Sequence, residues 1–129
     1  MRFLLDTHSI LWFLEDSKRL SEQAAVLIEN SQAQNSMAVS IASLWEVTIK
    51  HSLGKLQFDG GVANLRAMID TNGWSVLPIA QSHLESLSSL PFLHRDPFDR
   101  LLVATALSES IPLITVDENI RRYGVQCIW

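Results

Sequence analysis

Apolar residues in this chain fall into two kinds of stretch. Short continuous runs occupy residues 2–5, 36–40, 75–79, 111–115 and 125–128. Runs of this length without strict alternation predict strands buried on both faces. Between them lie longer stretches in which apolar positions return every three or four residues, the period of an amphipathic helix. These predict helices over 9–15, 21–34, 42–53, 60–73, 81–89, 96–108 and 117–123.

The punctuation agrees with this division. Ser21 suits an N-cap, Gly54 a C-cap, and Pro97 the first helical position after Asp96. Gly60-Gly61 and Asn72-Gly73 bracket the fourth helix. No internal repeat, low-complexity stretch or linker interrupts the series. Strand and helix alternate throughout, which predicts an α/β fold, a parallel sheet covered by helices on both faces. In such sheets ligands bind beyond the carboxyl ends of the strands.

Composition narrows the class. The 129 residues, 47% of them hydrophobic, suffice for one domain over residues 1–129 with a sizeable core. Charged residues make up 19%, too few for a disordered acidic chain. The single cysteine, Cys127, excludes an internal disulfide and a four-cysteine zinc site, and fits a reducing compartment. The apolar run at Phe3-Leu4-Leu5 stops at Asp6, short of a signal core. No stretch reaches the roughly 20 apolar residues of a membrane helix. The expectation is a soluble, cytoplasmic protein without a membrane partner. The net charge of −4 argues at first against a nucleic-acid partner. Setting aside four carboxylates of one candidate site, however, leaves ten acidic against ten basic residues, so the excess is local.

Those four are Asp6, at the end of the first strand; Glu46, on the helix after the second; Asp99, in the first turns of the helix opened by Asp96-Pro97; and Asp117, just after the fourth strand. Gathered at one sheet edge they would repel one another, and some would take up protons unless cations were present. Magnesium or manganese, hard cations that prefer oxygen ligands, relieves that repulsion. Such an ion also makes bound water a better nucleophile and stabilises charge on phosphate, so the natural reaction is phosphodiester hydrolysis. Each acid also has a purely structural reading. Asp6 and Asp117 would cap the helices that follow them. Ser43-Leu44-Trp45-Glu46 matches a capping box, and Asp99 suits the positive end of its helix. Asp96, three residues before Asp99, is a spare carboxylate read here as an N-cap.

At these residues the chain resembles the PIN-domain nucleases. Leu4-Leu5-Asp6-Thr7-His8 is similar to their opening motif. Residues 40–50, SIASLWEVTIK, resemble the second, and residues 94–106, HRDPFDRLLVATA, the third. Thr115-Val116-Asp117 resembles the fourth. The likeness runs essentially the whole length with order and spacing intact, and within the family it points to VapC-like toxins of type II toxin–antitoxin pairs. It implies a three-layer α/β/α fold with a five-stranded parallel sheet. It implies Mg2+- or Mn2+-dependent endoribonuclease activity, with Asp6, Glu46, Asp99 and Asp117 as metal ligands and Thr115 ordering the site through its hydroxyl. It implies an RNA substrate, a cognate antitoxin that blocks the site, and a homodimer. His8 stands where many relatives carry asparagine, and Val116 where many carry arginine.

Other residues are weighed against plain alternatives. Thr7 and His8 adjoin the first acid as supporting residues, His8 orienting water or substrate. Lys50 and Arg95, inside the motifs, are candidate RNA phosphate contacts; Lys55 and Arg100 fit a solvated surface equally well. His51, His83 and His94 read as structural or exposed, since the four histidines form no zinc motif. Trp12 and Trp74 read as core, Trp129 as packed on the sheet edge or at a dimer contact, and Cys127 as a small buried hydrophobe. Trp45, like the other three tryptophans, could also stack on a base. Two phosphotransfer folds compete poorly. Asp6-Thr7-His8 lacks the second aspartate of a haloacid-dehalogenase-like phosphatase, and the third strand ends in Leu77-Pro78-Ile79 without a receiver domain's aspartate. A binding module that holds RNA or antitoxin without cutting is the alternative on the same fold.

Overall fold

The computed structural model describes residues 2–31 and 34–129. Its elements are β1 (Phe3–Leu5), α1 (Thr7–Leu14), α2 (Glu22–Ser31), β2 (Met37–Ser40), α3 (Ile41–Ser52), α4 (Gly61–Thr71), β3 (Ser75–Leu77), α5 (Gln81–Ser88), α6 (Pro97–Glu109), β4 (Leu113–Ile114), α7 (Glu118–Arg121) and β5 (Cys127–Ile128). The strands form one sheet in the order β3-β2-β1-β4-β5, every pair parallel. Helices cover both faces, giving the expected three-layer α/β/α fold.

Period-two alternation in the short strands sorts their side chains between two cores. Leu5, Met37, Val39 and Ile114 face one side, where they pack with Ile10 and Leu11 of α1, Ile28 of α2, Val47 of α3 and Leu65 and Ile69 of α4. Leu4, Ala38 and Leu113 face the other, against Leu102, Val103 and Ala106 of α6 and Ile120 of α7. Because central strands are buried on both faces, β1 and β4 are wholly apolar and β2 is apolar up to Ser40, whose hydroxyl caps the next helix.

Most elements fall within a residue or two of expectation, and the differences have local causes. β3 stops at Leu77 because Pro78 has no N–H to donate to a ladder. β4 and β5 shrink to two residues each, the extent over which they pair. Ser21 does cap the second helix, accepting a bond from Ala24 N at 3.1 Å; the part of the predicted helix at 32–33 lies outside the described residues. Gly54 follows the third helix at φ +70°, a left-handed turn that favours glycine. The capping box at Ser43 does not form. The helix begins two residues earlier, capped by Ser40, whose side chain accepts from Ala42 N.

The sheet reverses its winding at β1. Successive units run outward through β2 to β3, and the chain then crosses back to lay β4 on the other side of β1. The carboxyl ends of β1 and β4 therefore lie side by side at the switch point, where open α/β sheets place their ligands. Among the described residues no helix is long and apolar enough to cross a membrane.

Leu102 is fully buried between the sheet and α6. Leu102→Ala should cost about 2–5 kcal/mol, read as a lower urea midpoint at an unchanged slope.

Candidate active site

Asp6 leaves β1 and becomes the N-cap of α1. Its Oδ1 accepts the backbone N–H of Ser9 at 2.8 Å, and its Oδ2 accepts the hydroxyl of Thr115, just beyond β4, at 2.5 Å. Thr115 is fully buried, and the same hydroxyl oxygen accepts the N–H of Asp117 at 3.0 Å. One side chain thus joins the ends of two strands and fixes the start of α7. Asp117 caps that helix through Oδ1, which accepts from Asn119 N at 2.8 Å, and turns Oδ2 towards His94. The capping reading and the site reading of Asp6 and Asp117 are therefore compatible, one oxygen serving each.

Glu46 is buried on α3 and reaches across to α1. Its Oε1 accepts the Thr7 hydroxyl at 2.7 Å, and its Oε2 pairs with Lys50 Nζ, one turn along, at 2.5 Å. Ser43 Oγ stands 2.9 Å from Thr7 Oγ1. Thr7 commits its one proton to the carboxylate, so Ser43 is the donor to Thr7. Ser43 and Glu46 tie two helices together instead of capping one.

Asp99 sits in the first turn of α6. Asp96 caps that helix, its Oδ1 accepting from Phe98 N at 2.8 Å and from Asp99 N at 3.4 Å. The spare carboxylate is thus the N-cap the sequence suggests. His94 lies between the remaining acids, with Nε2 2.9 Å from Asp117 Oδ2 and 3.2 Å from Asp99 Oδ2. These three ligand atoms lie within 4.8 Å of one another.

The electrostatics reflect crowding. Burial, then the charges of Asp96 and Glu46, push the Asp99 carboxyl up to about 7; Asp6 adds to the effect and His94 opposes it. Burial also raises Asp6, against hydrogen bonds from Ser9 and Thr115. Asp117 is only partly covered: the burial that would raise it is outweighed by the His94 and Asn119 bonds, and its pKa falls. For Lys50, burial works downward but the Glu46 bond and charge, with Asp96 and Asp99, leave it raised. A group of carboxylates in which one is raised by burial and by its charged neighbours, with oxygen donors from four elements, fits a hard divalent cation.

Other expectations divide. His8 is exposed and stacks on Trp12, ring centroids 5.4 Å apart. Trp74 is buried, as expected, whereas Trp12 is half-buried and meets Trp129 edge-on at 5.9 Å. Trp45 is 54% exposed and edge-on to Phe98 at 5.1 Å. Cys127 is half-buried, short of the core placement expected, because β5 is an edge strand. Arg95 is exposed, as is Lys55. Arg100 is not on the surface. It is buried, donating to Pro91 O at 2.8 Å and Tyr123 Oη at 3.1 Å, with its guanidinium 4.2 Å over the Phe92 ring. His83 is buried and structural, bonded to Glu109 and to Ala80 N. His94, read from the sequence as structural or exposed, is half-buried and stands beside two of the candidate acids. Its signal in the sequence was its place at the head of the third motif, two residues before the Asp96 cap.

Residues 3–126 match the family model of the PIN domain. The chain belongs to the PIN-domain family. Solved structures share this PIN fold. VapBC2 from Rickettsia felis, bound to a DNA fragment from its promoter, superposes with a TM-score of 0.75 at 14% identity, over 99% of this chain and 98% of that one. FitAcB from Neisseria gonorrhoeae gives 0.69 at 14%, over 98% and 96%. A toxin–antitoxin complex from Klebsiella pneumoniae gives 0.51 at 22%, over 88% and 85%. Comparison with curated proteins finds no match.

The charge crowding in this PIN domain has a thermodynamic signature. The Asp99 pKa is raised on folding from 3.8 to about 7. Between those values the folded state binds more protons than the unfolded one, so stability falls as pH rises through the window, by up to about 1.4 kcal/mol per unit. Asp6 acts in the same sense; Asp117, lowered, acts oppositely and loses its contribution as pH falls. Urea denaturation in EDTA from pH 4 to 8 should show wild type losing ground to Asp99→Asn as pH rises. Parallel curves would show that the carboxylates do not strain the fold.

Proposed function

We propose that residues 1–129 act as one nuclease domain, a divalent-metal-dependent endoribonuclease that serves as the toxin of a type II toxin–antitoxin pair. The observation that carries this reading is geometric: the ligand atoms of Asp99, Asp117 and His94 lie within 4.8 Å of one another beside the sheet's switch point, with Asp6 and Glu46 near enough to act on Asp99. A fold that brings charge together this way stores repulsion that cations relieve. The toxin assignment is supported by likeness in fold to VapBC2 and FitAcB, added to the motifs of the sequence.

In this reading Asp6, Glu46, Asp99 and Asp117 hold Mg2+ or Mn2+. When bound, such an ion lowers the pKa of a water and offsets charge on a phosphate, the chemistry that hydrolysis of a phosphodiester needs. Thr7 and Thr115 keep Glu46 and Asp6 in register, since each donates its hydroxyl proton to one of these acids. Lys50 pairs with Glu46; with the acids satisfied by cations, its ammonium would be free to meet an RNA phosphate. Arg95, exposed beside Asp96, is the second phosphate contact. His8, stacked on Trp12 next to Asp6, orients water or substrate. A cognate antitoxin covers the site, the active form is a homodimer, and the enzyme works in the cytoplasm.

The test is cleavage of total RNA by purified protein. Cleavage should require Mg2+ or Mn2+, stop in EDTA and return on adding metal. Asp6→Asn and Asp99→Asn should lower the rate by at least about 100-fold without unfolding the protein. Undiminished cutting by folded Asp99→Asn would defeat the ligand assignment, and RNA binding without metal-stimulated cleavage would favour a binding module.

A further inference from the structure

His94 looks at first like a fourth kind of ligand, a ring nitrogen beside two carboxylates. Its hydrogen bonds argue otherwise. Nδ1 accepts the backbone N–H of Asp96 at 3.0 Å. In the neutral ring one nitrogen accepts and the other carries the proton, so the proton lies on Nε2. That N–H faces Asp117 Oδ2 at 2.9 Å and Asp99 Oδ2 at 3.2 Å. A nitrogen that donates has no lone pair to offer a cation.

We infer that His94 is a positioning residue: its Nε2–H, donated to Asp117 with Asp99 Oδ2 3.2 Å from the same nitrogen, holds the two carboxylates in a cation-ready arrangement before any ion arrives. The inference rests on the metal-dependent reading above. Two carboxylates from different elements, α6 and the cap of α7, would swing apart if left to repulsion. One donor between them offsets that tendency, and it is itself anchored from behind.

The anchor is built into the segment before α6. Tyr123 Oη accepts the N–H groups of Leu93 and His94, each at 3.0 Å, as well as Arg100 Nη1 at 3.1 Å. Arg100 also holds Pro91 O. The backbone at residues 91–94 is thus tied at both ends, and the ring is tied a third time through Asp96 N. A ring held at so many points aims its proton without relying on the ion.

The experiment compares wild type, His94→Ala and His94→Gln, which keeps an N–H donor near the place of Nε2. Mn2+ binding is measured by calorimetry, with circular dichroism and the metal-free thermal midpoint as checks on folding. His94→Ala should bind Mn2+ about 10–100-fold more weakly, and His94→Gln should recover most of the loss. Nitrogen-15 NMR of the metal-free wild-type ring should show a protonated Nε2 and a bare Nδ1, unchanged on adding Mg2+. Unchanged Mn2+ affinity in folded His94→Ala overturns the inference. So does a ring protonated on Nδ1, or loss of the Nε2 proton on adding Mg2+, which would make His94 a ligand. If His94→Ala fails to fold, the NMR result on wild type decides alone. Wild type without measurable Mn2+ affinity defeats the metal reading beneath, a separate failure.

Discussion

The Thr115 hydroxyl governs the geometry of this molecule's functional edge. It donates to Asp6 and accepts from the N–H of Asp117, so one buried oxygen ties β1, β4 and α7 at the point where the winding of the sheet reverses. Without it two acids would leave their strands with no common reference. With it, their separation is set by the strand pairing itself, Leu5 opposite Ile114. Glu46 is referenced to the same edge through Thr7, the residue after Asp6.

Charge then follows from position. Burial and like-charged neighbours act together on Asp99 and lift it furthest. Asp117, more open to water and bonded to His94, moves the other way. Such divergence between adjacent carboxylates is a mark of functional sites, where ordinary surface acids would stay near their usual values. The acids gather at strand ends, outside the two hydrophobic cores that flank the sheet.

Much of the fold was legible in the chain. Apolar runs that alternate with helices, marked off by caps at Ser21, Gly54 and Asp96, specify a parallel α/β sheet because helices on both faces are what hide strands of that kind. The four acids were legible as candidates from their places after strands and in helix turns. Local pattern misled at Ser43, whose spacing to Glu46 imitates a capping box. The helix had already begun, at Ile41, and a hydroxyl on another helix was the better partner. It misled also at Arg100, charged and therefore expected outside, but buried against Tyr123 and Phe92 where its donors are satisfied.

By itself the sequence determined which elements form and in what order, since periodicity, caps and breakers act over a few residues. It also determined which side chains carry oxygen to the carboxyl ends of the strands. Only the tertiary structure decided which of these meet. Thr115 finds Asp6 across 109 residues of chain and His94 finds Asp117 across 23. Such pairings depend on sheet order and on how helices pack over it, and neither leaves a periodic trace along the chain. The proton on His94 is decided at the same level, because a backbone amide of the next helix cap chooses which ring nitrogen must donate.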